Sequence, residues 1–129
     1  MLDLKGIHHI AIICSNYSVS KAFYTEVLGF EILQEVYREE RDSYKLDLAL
    51  NGQYIIELFS FPDPAERPSY PEARGLRHLA FAVENIEKQV ALLNNMGIKT
   101  EPIRVDKTSD KKFTFFTDPD GLPLELYEV

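Results

Sequence analysis

The sequence predicts an α+β protein made of two βαβββ modules in tandem. Three observations carry this expectation. The chain has 129 residues, the length of one domain. Two short motifs each occur twice, at nearly the same separation. A stretch of helical periodicity, then strand-like stretches, follows the first motif in both halves.

The motifs come first. Gly6-Ile7-His8-His9-Ile10-Ala11-Ile12 resembles Gly75-Leu76-Arg77-His78-Leu79-Ala80-Phe81, and His9 and His78 lie 69 positions apart. Tyr54-Ile55-Ile56-Glu57-Leu58-Phe59 resembles Leu122-Pro123-Leu124-Glu125-Leu126-Tyr127, and Glu57 and Glu125 lie 68 apart. Two separated motifs with one offset indicate two copies of a module. The copies span about 5–61 and 75–128. The proline-rich and charged segment 62–74 reads as the linker of a single domain 1–129.

The remaining elements follow in order. Val19, Phe23 and Val27 recur at helical spacing, Asn16 or Ser18 caps the start, and Gly29 stops the helix. Ile86, Val90 and Leu93 form the second stripe, with Asn85 as cap and Gly97 as stop. Residues 45–50 and 54–59 read as strands joined by the hairpin turn Asn51-Gly52. Residues 112–117 and 122–127 read as strands joined by Asp118-Pro119-Asp120-Gly121. The charged stretch 37–45, and its counterpart 104–112, read as connections between strands.

Composition narrows the function classes. A net charge of −7 argues against nucleic acid, whose phosphates need a basic surface. It also argues against an anionic membrane, and the early apolar run 10–14 is far too short for a span or a signal-peptide core. The single cysteine, Cys14, allows no intrachain disulfide and reads as a small buried residue. These features lead to the expectation of a cytoplasmic protein.

Four residues stand out as candidate metal ligands: His9, Glu57, His78 and Glu125. Strand alternation places His9 with Ala11 on one face and His78 with Ala80 on one face, so each ring has a small neighbour. Glu57 and Glu125 interrupt apolar strands, where an uncompensated carboxylate costs several kcal/mol or more. One divalent cation compensates both, and two nitrogens with two oxygens suit Ni, Co, Zn, Mn or Fe. Each residue alone would be read as structural or solvated. The repeat makes them a set, and it pairs His8 with Arg77, which sets His8 aside. Glu128 reads as a surface charge, and Arg38 and Arg41 as surface ion pairs.

On these residues the chain resembles the vicinal oxygen chelate superfamily, and within it the glyoxalase I-like proteins. The resemblance runs over essentially the whole chain. It rests on His9-Ile10-Ala11-Ile12, Phe23-Tyr24, Leu28-Gly29-Phe30, Glu57, His78-Leu79-Ala80-Phe81, and Asp118-Pro119-Asp120-Gly121 with Leu124-Glu125. It implies the glyoxalase/bleomycin resistance/dioxygenase fold, a cup-shaped mixed sheet of eight strands, and a homodimer.

The resemblance further implies a lyase or isomerase of the lactoylglutathione lyase type, acting on a small molecule. Such an enzyme turns an oxoaldehyde–thiol hemithioacetal, as from methylglyoxal, into a 2-hydroxyacyl thioester. Glu125 is then the first candidate base and Glu57 the second, with the histidines as ligands only. An epimerase, an Fe(II) dioxygenase and a non-catalytic small-molecule binder remain alternatives. Two positions depart from the glyoxalase I pattern: Ile13 stands in place of a glutathione-holding Arg, and Phe61 in place of an Asn. The thiol is therefore open. Arg104, Lys107, Lys111 and Lys112 form a basic cluster, read either as a grip on an anionic substrate, with Arg104 and Lys112 foremost, or as a solvated loop.

Overall fold

A computed structural model describes all residues, 1–129. The chain forms two compact units, Met1–Ala65 and Glu66–Val129. Each contains one four-stranded mixed sheet.

The first unit runs β1 (Ile10–Cys14), α1 (Tyr17–Ala22) with a π-helical extension (Phe23–Val27), β2 (Glu31–Arg38), β3 (Ser43–Leu50) and β4 (Gln53–Ser60). Sheet order is β1-β4-β3-β2, with β1 parallel to β4 and the other pairs antiparallel. Of the two proposed caps, Asn16 accepts the amide of Val19 at 3.2 Å. The buried helical face runs through Ser20, Phe23 and Tyr24, whereas Val19 is exposed. Of the expected stripe, Phe23 is buried and Val27 half-buried, and only Val19 lies off it. Gly29, at φ 82°, ends the helix, and the Phe30 amide closes back on the Tyr24 carbonyl at 2.9 Å.

Asn51 and Gly52 both take positive φ, as a tight β3–β4 hairpin requires. The 37–45 stretch is mostly strand, not connection: β2 and β3 pair as far as Arg38 and Ser43, and only the 3₁₀ turn Glu39–Arg41 with Asp42 joins them. Ladder pairing recruited charged residues that no apolar period marked.

The second unit runs β5 (Leu79–Val83), α2 (Ile86–Asn95), β6 (Arg104–Asp106), β7 (Lys111–Thr117) and β8 (Pro123–Glu128). Its order, β5-β8-β7-β6 with β5 parallel to β8, repeats the first sheet. Asn85 caps α2 by accepting the Lys88 amide at 3.1 Å. Glu128 is not simply a surface charge, since its carboxylate accepts the Ile86 amide at 3.1 Å, a second cap supplied from β8. No local pattern announces that contact.

In both units the sheet has one apolar face and one chemically mixed face. Ile12, Cys14, Leu46, Leu48, Ile56 and Leu58 are buried on the apolar face of the first. Thr114, Phe116, Leu124 and Leu126 are their counterparts in the second, and the Thr114 hydroxyl is satisfied by the Glu101 carbonyl at 2.7 Å. Alternation then sends Glu57 and Glu125 to the opposite, mixed face.

Candidate metal centre

Glu57 lies opposite Ala11 on β1 and Asp47 on β3; Glu125 lies opposite Ala80 on β5 and Phe115 on β7. Each histidine immediately precedes its strand by one residue, His9 before β1 and His78 before β5. The small Ala two positions on leaves the ring room to lean toward the carboxylate. His9 Nε2 stands 3.6 Å from Glu57 Oε1, and His78 Nε2 stands 3.9 Å from Glu125 Oε2. Each unit therefore holds one imidazole nitrogen facing one carboxylate oxygen. Neither unit alone gathers three or more His, Cys, Asp or Glu side chains in a ligating group.

The two pairs have different surroundings. In the first unit a polar network backs the pair. Asp47, only 7% exposed, accepts from Lys45 Nζ at 2.8 and 3.0 Å and from the Tyr54 hydroxyl at 2.8 Å. Lys45 and Tyr54 also reach Glu57 Oε2, at 3.5 and 3.4 Å. Desolvation acts to raise the Asp47 carboxyl, but these partners outweigh it and hold the pKa below the ordinary value. Desolvation and the hydrogen bond to Asp47 push the Tyr54 hydroxyl up, so it stays protonated. The Tyr54 ring stacks on His9 with centroids 5.2 Å apart. His8 Nδ1 lies 2.7 Å from His9 Nδ1, so His8 orients the ring from behind and leaves Nε2 toward Glu57.

In the second unit the equivalent positions are apolar. The strand register puts Phe115 where Asp47 stands and Phe113 where Lys45 stands. His78 meets the Phe115 ring edge to face at 5.1 Å. The Glu125 side chain is 13% exposed, and its one polar partner is His78. Burial pushes its carboxyl above the usual carboxylate range, against the smaller opposing effect of His78. A desolvated carboxylate without a hydrogen-bond donor, facing an imidazole nitrogen, has the donor chemistry of a ligand to a divalent cation.

Asp118 positions Glu125 locally. Its carboxylate accepts the amides of Asp120 and Leu122, both at 2.9 Å, and its own amide donates to the Leu122 carbonyl at 3.0 Å. This closed turn sets where β8 begins.

The basic cluster separates. Arg104 lies on the mixed face, its guanidinium 4.9 Å from the Phe113 ring and 6.0 Å from the Phe115 ring. Lys112 pairs instead with Glu87 of α2 at 2.6 Å. Arg104, Lys99 and Arg77 line a cavity of about 520 Å³ with Phe115, Thr117 and Pro123; Lys107, Lys111 and Lys112 do not. Arg38 is no plain surface ion pair: it stacks on Phe59 at 4.8 Å and donates to Ser43 Oγ at 3.0 Å. Sequence reasoning missed Lys45, Asp47 and Tyr54, whose signal was present as a second carboxylate within an apolar strand.

Paired βαβββ units, each with a His–Glu pair on its mixed sheet face, define a class of protein. The chain belongs to the Glyoxalase/Bleomycin resistance protein/Dioxygenase superfamily, whose pattern matches residues 6–126. It is 68% identical to YwkD of Bacillus subtilis, covering 97% of this chain and 98% of that one. It is 67% identical to YaeR of Escherichia coli, covering 99% of each. The crystal structure of a glyoxalase family protein from Enterococcus faecalis superposes with TM-score 0.91 at 57% identity, covering 98% of this chain and 100% of that one. More distant relatives include a metallothiol transferase FosB of Staphylococcus saprophyticus, 32% identical over 96% of this chain and 77% of that one. A lactoylglutathione lyase of Salmonella typhimurium is 32% identical over 85% of this chain and 82% of that one.

Proposed function

We propose that the chain is a metal-dependent lyase or isomerase of the glyoxalase I type, acting on a thiol adduct of a 2-oxoaldehyde. The observation that carries this reading is the repeated His–Glu pair, in which one glutamate is tethered and the other is not. The family and the lactoylglutathione lyase relative support it.

His9, Glu57, His78 and Glu125 would hold the ion, one pair from each unit. A divalent cation held there supplies a Lewis acid for two neighbouring substrate oxygens. The chain's own residues do the rest. Lys45, Asp47, Tyr54 and His8 hold the first pair fixed. Glu125, with no hydrogen bond to restrain it, takes the proton from the carbon beside the substrate carbonyl and returns it to the adjacent carbon. Phe113 and Phe115 exclude water from that transfer.

The four ligands come together, in this proposal, when two copies of the chain pair. Exposed apolar side chains near the N-terminus, Leu2, Leu4 and Ile7, offer surface for such pairing.

Turnover of methylglyoxal hemithioacetals of several thiols, with Ni, Co, Zn or Mn supplied, tests the reaction. Glu125→Gln is expected to lower kcat by about 10²–10⁴-fold. Absence of turnover with every thiol, in protein shown to contain metal, would remove the proposal. The FosB relative favours a second reading, addition of a thiol to a different electrophile at the same centre; turnover of fosfomycin with a thiol, without hemithioacetal turnover, selects it.

A further inference from the structure

The cavity beside His78 and Glu125 has a lining unlike the rest of the molecule. The chain carries −7 overall, yet this cavity is lined by three cations, Arg77, Lys99 and Arg104, and one carboxylate, Glu101. Its volume, about 520 Å³, is that of a small-ligand pocket. Phe115 belongs both to this cavity and to the metal face, where it touches His78 and lies opposite Glu125.

The cations are available to a ligand in different degrees. Lys99 makes no ion pair. Arg104 meets Glu101 at 3.3 Å, with both side chains more than half exposed, a pairing too solvated to compete strongly. The two aromatic rings beneath Arg104 restrict its guanidinium, so little freedom is lost when it grips an anion. Arg77 is only partly engaged: its Nη2 stands 3.7 Å from Glu72 and its guanidinium 5.2 Å from the Tyr70 ring, while its buried Nη1 has no hydrogen-bond partner.

We propose that this cavity is the receptor for an anionic group of the substrate, a carboxylate or a phosphoryl or phosphonyl group held by Lys99 and Arg104, with the reacting carbons toward His78 and Glu125. The substrate class is therefore a small organic anion. The placement rests on the reaction site proposed above, but the anion receptor itself does not need that reaction to occur. Phe115 and Pro123, which share the sheet face of Glu125, suit an apolar link between the anionic end and the reacting end.

The experiment uses the full chain and two probes, inorganic phosphate and acetate, at constant ionic strength. Amide chemical shifts are followed by NMR, in the protein as purified and again after treatment with EDTA and dialysis to remove the chelator. The expected result is a saturable change confined to the cavity lining, residues 99–104 and 115–117 with Tyr70, Arg77 and the 121–124 segment around Pro123, unaltered by the EDTA treatment, with the tighter probe identifying the anion type. Binding weakens about tenfold or more in Lys99→Gln with Arg104→Gln, and is unchanged in Lys88→Gln, an exposed α2 site outside the cavity. Each single variant shows part of the loss, so a misfolded double variant does not hide the result. Diffuse or non-saturating changes, loss with EDTA, or equal binding in the Lys99 and Arg104 variants would overturn the proposal. Anion binding without hemithioacetal turnover would refute the reaction alone, and turnover without anion binding would refute the receptor alone.

Discussion

Glu57 and Glu125 occupy equivalent places in the repeat and yet sit in opposite environments. Substituting their neighbours should show the difference. Tyr54→Phe removes a hydroxyl bonded to the buried Asp47, at an expected cost of about 1–2 kcal/mol in urea unfolding. It also loosens the ring stacked on His9, so metal affinity should fall about tenfold in a chelator competition. An unchanged affinity would separate the network from the metal.

Asp106, which is outside the proposed ligand set although its charge acts to raise the Glu125 carboxyl, allows a pH test of stability. It accepts from the amide and hydroxyl of Thr108 and from the Tyr127 hydroxyl, and the Thr108 hydroxyl chiefly lowers its pKa from 3.8 to about 2. Because the folded value is depressed, its stabilising effect is fully present above 3.8 and is lost as pH falls toward about 2. Asp106→Asn should therefore flatten the dependence of unfolding free energy on pH within that window; an unaltered slope would contradict the assignment.

At the scale of elements, the β7–β8 turn carries the strongest expectation. Asp118 is 5% exposed and satisfies two amides at the start of the strand that bears Glu125. Asp118→Ala leaves those donors unpaired and should cost about 3 kcal/mol in denaturant unfolding, with metal affinity reduced as well. The Asp-Pro-Asp-Gly motif was legible because its chemistry is local. The π-helical extension of α1 was not legible, since a widened turn depends on how Phe23 and Tyr24 seat against the sheet. The same limit applies to Glu128, whose bond to the Ile86 amide joins residues 42 positions apart.

For the molecule as a whole, the central prediction is that the metal site needs two units drawn from two copies. Mixing His9→Ala with His78→Ala protein, after dissociation and reassociation, tests it. If each site pairs the first unit of one copy with the second unit of the other, a mixed dimer regains one intact site, and activity returns to about a quarter of the unsubstituted level. Sites formed within one chain would stay broken in every mixture, and no activity would return.

The sequence by itself determined the βαβββ repeat, the Asn85 cap, the hairpin turns and the correspondence of His9 with His78 and of Glu57 with Glu125. These are consequences of local periodicity and of an offset that holds along the chain. Only the tertiary structure decided which glutamate is tethered, because Asp47 and Phe115 differ in effect only once strand register lays them opposite Glu57 and Glu125. It also decided which cations matter. Lys112 and Arg104 belong to one basic stretch in sequence, but Lys112 pairs with Glu87 while Arg104 lines the cavity. Which face a side chain takes, and what packs against it, is settled by pairing partners distant in the chain.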